Sequence, residues 1–256
     1  MIGENMLQKH LLIFLVFLFM VLGCASTETI ESTKVAPTEI YQDYIIRGSK
    51  NSTNVTATFR VGGPTGSTVD LDAPGKVTHN GKEMNESKPG FLKGTDYGFA
   101  ANEFISEHKF VYTDAAGKTW ENEINLPALE INVQNLTFSK ANGGTITLSR
   151  PVDKDENVEF SLVSEKTPPS SSGNSNSNTN VKNKLPEQEY STKLQIKFDD
   201  SRSSIKIEPF SLKNFVEGKA TVWLTVRKNK TVQNSAKGGA LDFSYESQKV
   251  AVNLVN

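Results

Sequence analysis

Apolar and polar residues alternate with a period of two in nearly every apolar segment after Ile40. In the segment 54–61, Val55, Ala57 and Phe59 fall on one face of an extended chain, while polar residues occupy the other. The same alternation returns at 158–162, 194–198 and 250–254. A period of two is typical of strands with one buried face. The pattern therefore predicts an all-β chain after its N-terminal region.

Turn-forming residues separate these strands. Asn80-Gly81 is a two-residue hairpin signal, and Asp114-Ala115-Ala116-Gly117 separates two further alternating segments. Glycine pairs at 143–144 and 238–239 mark more turns. Short strands joined by such turns favour antiparallel sandwiches.

Segment lengths predict two tandem antiparallel β-sandwiches, at 40–127 and 128–256, with the boundary near Leu126-Pro127. Their architecture resembles that of immunoglobulin-like modules, a resemblance that implies no particular partner. Residues 165–189, in the second unit, are almost devoid of apolar side chains and are predicted to be disordered. This insertion is predicted to be either a surface loop or a spacer that presents a binding or glycosylated segment.

The N-terminal region contains an uninterrupted apolar tract, 11–22, after Lys9 and before Gly23-Cys24. A transmembrane helix needs about 20 apolar residues, whereas a secretory signal needs about 7–15. The tract therefore predicts a signal peptide, and the Ser/Thr/Glu-rich segment after it predicts a flexible tether.

The sequence Val21-Leu22-Gly23-Cys24 resembles the lipobox of bacterial lipoproteins. The resemblance implies that residues 1–23 are a signal peptide, that Cys24 is acylated, and that 24–39 is the tether. It implies a lipid-anchored protein of the bacterial cell membrane that faces the periplasm or the exterior. Because Ala25 rather than Asp follows the cysteine, it implies the outer membrane if the cell is Gram-negative. The alternative is an ordinary signal peptide followed by an unmodified thiol.

Charge and cysteine content narrow the function classes. A net charge of −1 gives no basic surplus for binding nucleic acid, so no nucleic-acid partner is expected. Cys24 is the single cysteine, so an intramolecular disulfide is excluded and the fold must be stabilised by a packed core.

Candidate catalytic residues are sparse. Besides His10, the histidines are His79, which is predicted to be exposed beside a turn, and His108, on the same strand face as Phe110. No zinc-binding HExxH pattern, GxSxG elbow or phosphate-binding loop occurs. The prediction is a protein that is not an enzyme and has no cofactor, although a carboxylate pair from distant loops could still form an active site.

Two weaker site hypotheses concern calcium and sugar. Asp153 and Asp155 open like an EF-hand loop, but Val158 stands where glycine is needed, so a calcium site there is a weak prediction. Trp223 lies on the strand face opposite Val222 and is either a core residue or an exposed platform for a sugar ring. Trp120 is predicted to be a core residue.

These patterns favour a membrane-anchored binding or structural module with an unidentified protein or glycan partner. One alternative is a carbohydrate-binding accessory lipoprotein. Another is an assembled subunit that resembles Bacteroidete fimbrial subunits, in which cleavage after arginine removes an early strand; Arg47 lies where such a site could be.

Overall fold

The computed structural model describes residues 29–87, 94–132, 136–164, 190–194 and 196–256. The predicted signal peptide, Cys24 and the predicted disordered insertion 165–189 lie outside the described residues. In the described part, no helix has the length and apolar character needed to span a bilayer.

Strands dominate the described chain, as the alternation predicts. In chain order the strands are β1 (Thr29–Glu31), β2 (Ile40–Ser49), β3 (Ser52–Val61), β4 (Thr68–Asp70), β5 (Lys76–His79), β6 (Lys82–Glu83), β7 (Asn85–Ser87), β8 (Asp96–Ala101), β9 (Glu107–Thr113), β10 (Thr119–Asn125), β11 (Thr137–Ser139), β12 (Gly144–Thr147), β13 (Glu156–Ser164), β14 (Tyr190–Leu194), β15 (Lys197–Phe198), β16 (Ser204–Ile207), β17 (Gly218–Thr231), β18 (Gly239–Glu246) and β19 (Val250–Val255). One short helix, α1 (Pro209–Leu212), and two 3-10 helices, Ser32–Lys34 and Pro37–Glu39, accompany them. The chain is therefore mostly β rather than all-β.

Hydrogen bonding arranges the described strands in three sheets. The large sheet has the order β1-β4-β3-β2-β18-β17-β13-β14, with β8 and β7 beyond β3 and with β19 and β11 beyond β17. A second sheet has the order β10-β9-β5-β6, and a third has the order β12-β16-β15.

The large sheet is mixed, and the prediction of purely antiparallel sandwiches is wrong in this respect. Strand β2 runs parallel to β18, β1 runs parallel to β4, and β11 runs parallel to β19. Parallel neighbours need long crossover connections, and the connection between β2 and β18 spans most of the described chain. Local turn signals describe hairpins only, so they could not predict these pairs.

Strand β17 links the two halves of the large sheet. Its first part pairs with β19, its last part pairs with β18, and β13 runs along the opposite side. Since β18 also pairs with β2, a strand from before residue 127 is hydrogen-bonded to a strand from after it. The division into domains at 127/128 stays a prediction, but the strands on its two sides belong to one sheet.

The core between the large sheet and the β10-β9-β5-β6 sheet is rich in aromatic rings. Tyr44 of β2 stacks on Phe110 of β9 with 4.3 Å between ring centroids. Phe59 of β3 lies 4.5 Å from Tyr112 of β9. All four side chains are at most 1% exposed. Offset aromatic pairs of this kind add to the free energy gained by burying their area.

The predicted tether is partly ordered. Strand β1 pairs with β4, and Ser32 is fully buried, where its hydroxyl accepts a hydrogen bond from the Asp72 amide at 2.9 Å. The prediction of a freely flexible segment up to residue 39 is therefore wrong for 29–39. These residues lie against the body of the protein.

Other local predictions have mixed outcomes. The hairpin at Asn80-Gly81 is confirmed, with φ of 46° and 80° at its two residues, and so is the alternating burial of β19. The continuous strand predicted at 194–198 is wrong. Leu194 ends β14 in the large sheet, whereas Lys197 begins β15 in a different sheet.

Candidate functional site

Two adjoining depressions beside β10 form the candidate site. They have volumes of about 510 Å3 and 260 Å3, and Glu123 and Lys230 line both. We call the pair the polar groove. Its lining includes Asn80, Glu107, His108, Lys109, Glu121, Asn122, Glu123, Asn125, Lys230, Gln233 and Asn234. Amide, carboxylate and ammonium groups share this lining with the apolar side chains of Ile124, Val232 and Leu241.

One buried asparagine positions the loop that closes the groove. The Asn122 side-chain oxygen accepts hydrogen bonds from the amides of Gln233 and Asn234, at 3.1 and 3.0 Å. Its nitrogen donates to the Asn234 carbonyl at 3.0 Å. The loop after β17 is therefore held against β10, and the Asn234 side chain donates in turn to the Glu121 carbonyl.

Opposite charges alternate along the outer face of β9 and β10. The Lys109 ammonium contacts the carboxylates of Glu121 and Glu123, the second at 3.6 Å. The hydrogen bond to Glu121 raises the pKa of Lys109, so the ammonium stays charged at neutral pH. These side chains are about half exposed, so the pairs remain available to a polar ligand.

A histidine pair lies beneath the groove. Nε2 of His79 is 2.7 Å from Nδ1 of His108, and the two side chains are 0% and 2% exposed. Nε2 of His108 is 2.9 Å from the Ile105 carbonyl oxygen, which can only accept a hydrogen bond. Neutral His108 therefore carries its proton on Nε2, and its Nδ1 accepts from Nε2 of His79. This leaves Nδ1 of His79 buried without a partner in the described structure.

Burial keeps both histidines neutral. Desolvation lowers the pKa of His79 and of His108 to about 4. A general base acts best when its pKa lies near the working pH and its free nitrogen reaches the substrate. Neither condition holds here, since the only free ring nitrogen, Nδ1 of His79, is enclosed by aromatic neighbours such as Phe99 and Phe110.

The sequence prediction that His79 is exposed is wrong. His79 lies two residues after Val77 on β5, and Val77 is 1% exposed. The period of two places both side chains on the inner face. That signal is present in the sequence, although the neighbouring Asn80-Gly81 turn by itself favours exposure. The prediction that His108 shares the inner face with Phe110 is confirmed.

The predicted calcium residues lie apart from the groove and have protein partners. The Asp155 carboxylate contacts the Lys228 ammonium at 3.0 Å, and the Asp153 amide donates to Glu156 at 3.1 Å. Among the described residues, no three or more His, Cys, Asp or Glu side chains gather in a way that could hold a metal ion. The calcium site stays a prediction, and the Lys228 ammonium would compete with it.

The two tryptophans are both half-buried. The Lys249 ammonium lies 4.9 Å from the centroid of the Trp223 ring, so a cation covers one face of that ring. The role of Trp223 as a ligand contact stays a prediction. Trp120 packs against the edge of the core, and its indole nitrogen donates to Asp114 at 3.3 Å.

No known protein-family model matches this chain, and no curated protein matches it in sequence. One similar solved structure is Bacteroides ovatus SGBP-B of a mixed-linkage glucan utilization locus, bound to a mixed-linkage heptasaccharide. The identity is 9% and the TM-score 0.22, over 80% of this chain and 53% of that one. Another is the Yersinia pseudotuberculosis adhesin InvE, with 13% identity and a TM-score of 0.21 over 82% of this chain and 59% of that one.

The chain thus spans between half and three-fifths of the length of these two proteins. At such low TM-scores the likenesses carry no argument about fold or function. The class that the described structure defines is a mostly β protein with a mixed sheet and a polar groove.

Proposed function

We propose that this protein is a non-catalytic, membrane-anchored lipoprotein of the bacterial cell envelope that binds a partner through its β-rich body. The lipobox-like sequence around Cys24 supports the anchor. The single observation that carries the binding role is the polar groove. It presents fixed hydrogen-bonding groups, while the histidines beneath it are neutral and bonded to each other.

The chemistry of the groove favours a ligand rich in hydroxyl or amide groups. Alternating carboxylate and ammonium groups offer acceptors and donors within a few ångströms of one another. Asn122 orders the adjoining loop before any ligand arrives, which lowers the entropic cost of binding. A glycan or a polar protein segment is the proposed partner.

The anchor is tested by metabolic labelling with an alkyne-bearing palmitate in a bacterial host. The intact chain should incorporate the label and fractionate with membranes, whereas Cys24→Ala should do neither. Mass spectrometry that finds residues 1–23 still attached, or an unmodified thiol on released protein, would disprove the anchor.

The binding role is tested by capture of partners from intact cells, together with a glycan array. Lys230→Ala in the groove should weaken capture, whereas Lys154→Ala, an exposed substitution away from the groove, should not. If both variants capture a partner as the unchanged protein does, the groove is not the binding surface.

A second candidate function is an assembled surface subunit, favoured by the position of β2. This early strand lies between β3 and β18, so removal of the chain through Arg47 would expose two unpaired sheet edges. A strand from another subunit could pair with both edges. Size-exclusion chromatography of a variant that begins after Arg47 tests this, because polymers support assembly and a stable monomer contradicts it.

A further inference from the structure

A second concave surface lies on the sheet formed by β12, β16 and β15, and it shares no lining residue with the polar groove. Its volume is about 700 Å3, within the range of about 300–1,000 Å3 that is usual for ligand pockets. It is lined by Ile196, Lys197, Glu208, Pro209 and Phe210. We call it the Phe210 concavity.

The aromatic ring is unusually exposed for its size. Phe210 is 61% exposed. The other exposed large apolar side chains of the described chain, Val255 and Val216, are 41% and 37% exposed. It sits in α1, which is fixed to the body by the fully buried Leu212. The ring is thus presented to solvent by an anchored segment.

Positive charge accumulates beside the ring. Lys197 of β15 and Lys206 of β16 are directly opposite each other in the strand register, an arrangement in which like charges repel. The Glu208 carboxylate contacts both ammonium groups, each at 3.6 Å. Among the described ion pairs, one carboxylate serves two ammonium groups, so one positive charge remains in excess there.

We propose that the Phe210 concavity binds an acidic saccharide, such as a uronic acid unit of a glycan. This rests on the proposed function and names a ligand class for it. The C–H face of the sugar lies on the electron-rich face of Phe210. The sugar carboxylate pairs with the ammonium groups of Lys197 and Lys206, and the Glu208 carboxylate accepts hydrogen bonds from sugar hydroxyl groups.

The charges favour a saccharide over a bilayer surface. A protein surface that binds anionic lipid combines apolar side chains with cationic ones, whereas the carboxylate of Glu208 lines the concavity beside Phe210. A pyranose ring presents both an apolar face and polar edges, so it matches an aromatic ring flanked by charges.

The test is isothermal titration calorimetry of residues 24–256 with a tetrasaccharide of galacturonic acid, compared with cellotetraose, which is neutral. The acidic tetrasaccharide should bind, and cellotetraose should bind at least about fivefold more weakly. Phe210→Ala and Lys197→Gln should each weaken binding about five- to tenfold. Matched controls are Val216→Ala and Lys213→Gln, both exposed and outside the lining, which should change the affinity less than about twofold.

Thermal unfolding of each variant checks that the fold is kept. Because Phe210 and Lys197 are both at the surface, neither substitution should unfold the protein. The proposal is overturned if the acidic tetrasaccharide does not bind, if cellotetraose binds equally well, or if Phe210→Ala binds as the unchanged protein does. It is also overturned if anionic vesicles, but not the tetrasaccharide, bind in a Phe210-dependent manner. Retained capture of a partner through the polar groove would then leave the broader function standing.

Discussion

Two polar pairs hold different parts of this molecule: one is charged and largely buried, and the other is neutral and fully buried. Arg150 and Glu156 form a charged pair with two parallel hydrogen bonds at 2.8 and 2.9 Å. His79 and His108 form a neutral pair with a single bond at 2.7 Å. Burial of a charge requires a full set of partners, whereas a neutral ring tolerates one unpaired nitrogen.

The partners of the charged pair explain its position. The Arg150 guanidinium also donates to the carbonyls of Pro127 and Ala128, at 2.7 and 3.1 Å. It therefore fixes the segment that joins the first half of the chain to the second. The histidine pair instead fills the space between two sheets, where its rings contact Phe99, Phe110 and Phe243.

The largest expected effect comes from removing the charge of Glu156 while keeping its shape. Glu156→Gln leaves Arg150 largely buried opposite a neutral amide and should lower the free energy of unfolding by about 3–5 kcal/mol. Urea unfolding at pH 7.5 measures this. Glu31→Gln is the matched control, because its exposed carboxylate pairs with the exposed ammonium of Lys34, and it should cost less than about 1 kcal/mol. Equal effects of the two substitutions would contradict the distinction.

The neutral pair should reveal itself through pH. Because the folded state lowers both histidine pKa values from 6.5 to about 4, the unfolded chain binds more protons in that interval. Stability is therefore complete above pH 6.5 and is lost as the pH falls toward 4, by up to about 1.4 kcal/mol per pH unit for each histidine.

Urea unfolding between pH 7.5 and 5 measures this slope, and the same series on His79→Phe/His108→Phe is the control. The double variant should lose most of the slope whatever its absolute stability. A slope that persists in the double variant would assign the pH dependence to other groups.

A smaller effect is expected where a neutral side chain orders the loop of the polar groove. Asn122→Ala removes three hydrogen bonds to the loop after β17 and should cost about 1–3 kcal/mol. Hydrogen exchange should show faster exchange of the Gln233 and Asn234 amides. Asn125→Ala, at an exposed position on the same strand, should leave that exchange unchanged.

The smallest effect on stability is expected at the groove surface. Lys109→Gln breaks contacts between half-exposed charges and should change the free energy of unfolding by less than about 1 kcal/mol. Thermal unfolding measures this, with Lys76→Gln at an exposed position of β5 as the control. A loss as large as that of Glu156→Gln would mean that the surface pairs are structural.

The sequence predicted what depends on neighbours along the chain. Alternation placed Val55, Ala57 and Phe59 on the inner face of β3, and all three are at most 2% exposed. Asp114 and Gly117 marked the turn between β9 and β10, where the Asp114 carboxylate accepts from the amides of Ala116 and Lys118. In both cases the signal lies within a few residues along the chain.

What the sequence could not predict depends on partners distant along the chain. The parallel pairing of Ile46 with Phe243 joins segments almost 200 residues apart, and no local pattern encodes it. The same holds for the polar groove, because Glu123 and Lys230 come from separate hairpins. Asn122 could have been noticed as a polar residue in phase with Ile124, but the loop that it orders could not.

The parallel alignment of β2 with β18 has a mechanical consequence. If the protein is held at its N-terminal end while a partner pulls on its body, tension first meets the short strand β1, which pairs with β4, and then the long strand β2. The hydrogen bonds from β2 to β3 and to β18 are then loaded in shear. They share the force and must break together rather than one after another. A surface protein built in this way would withstand drag from flowing liquid at the point where it is loaded.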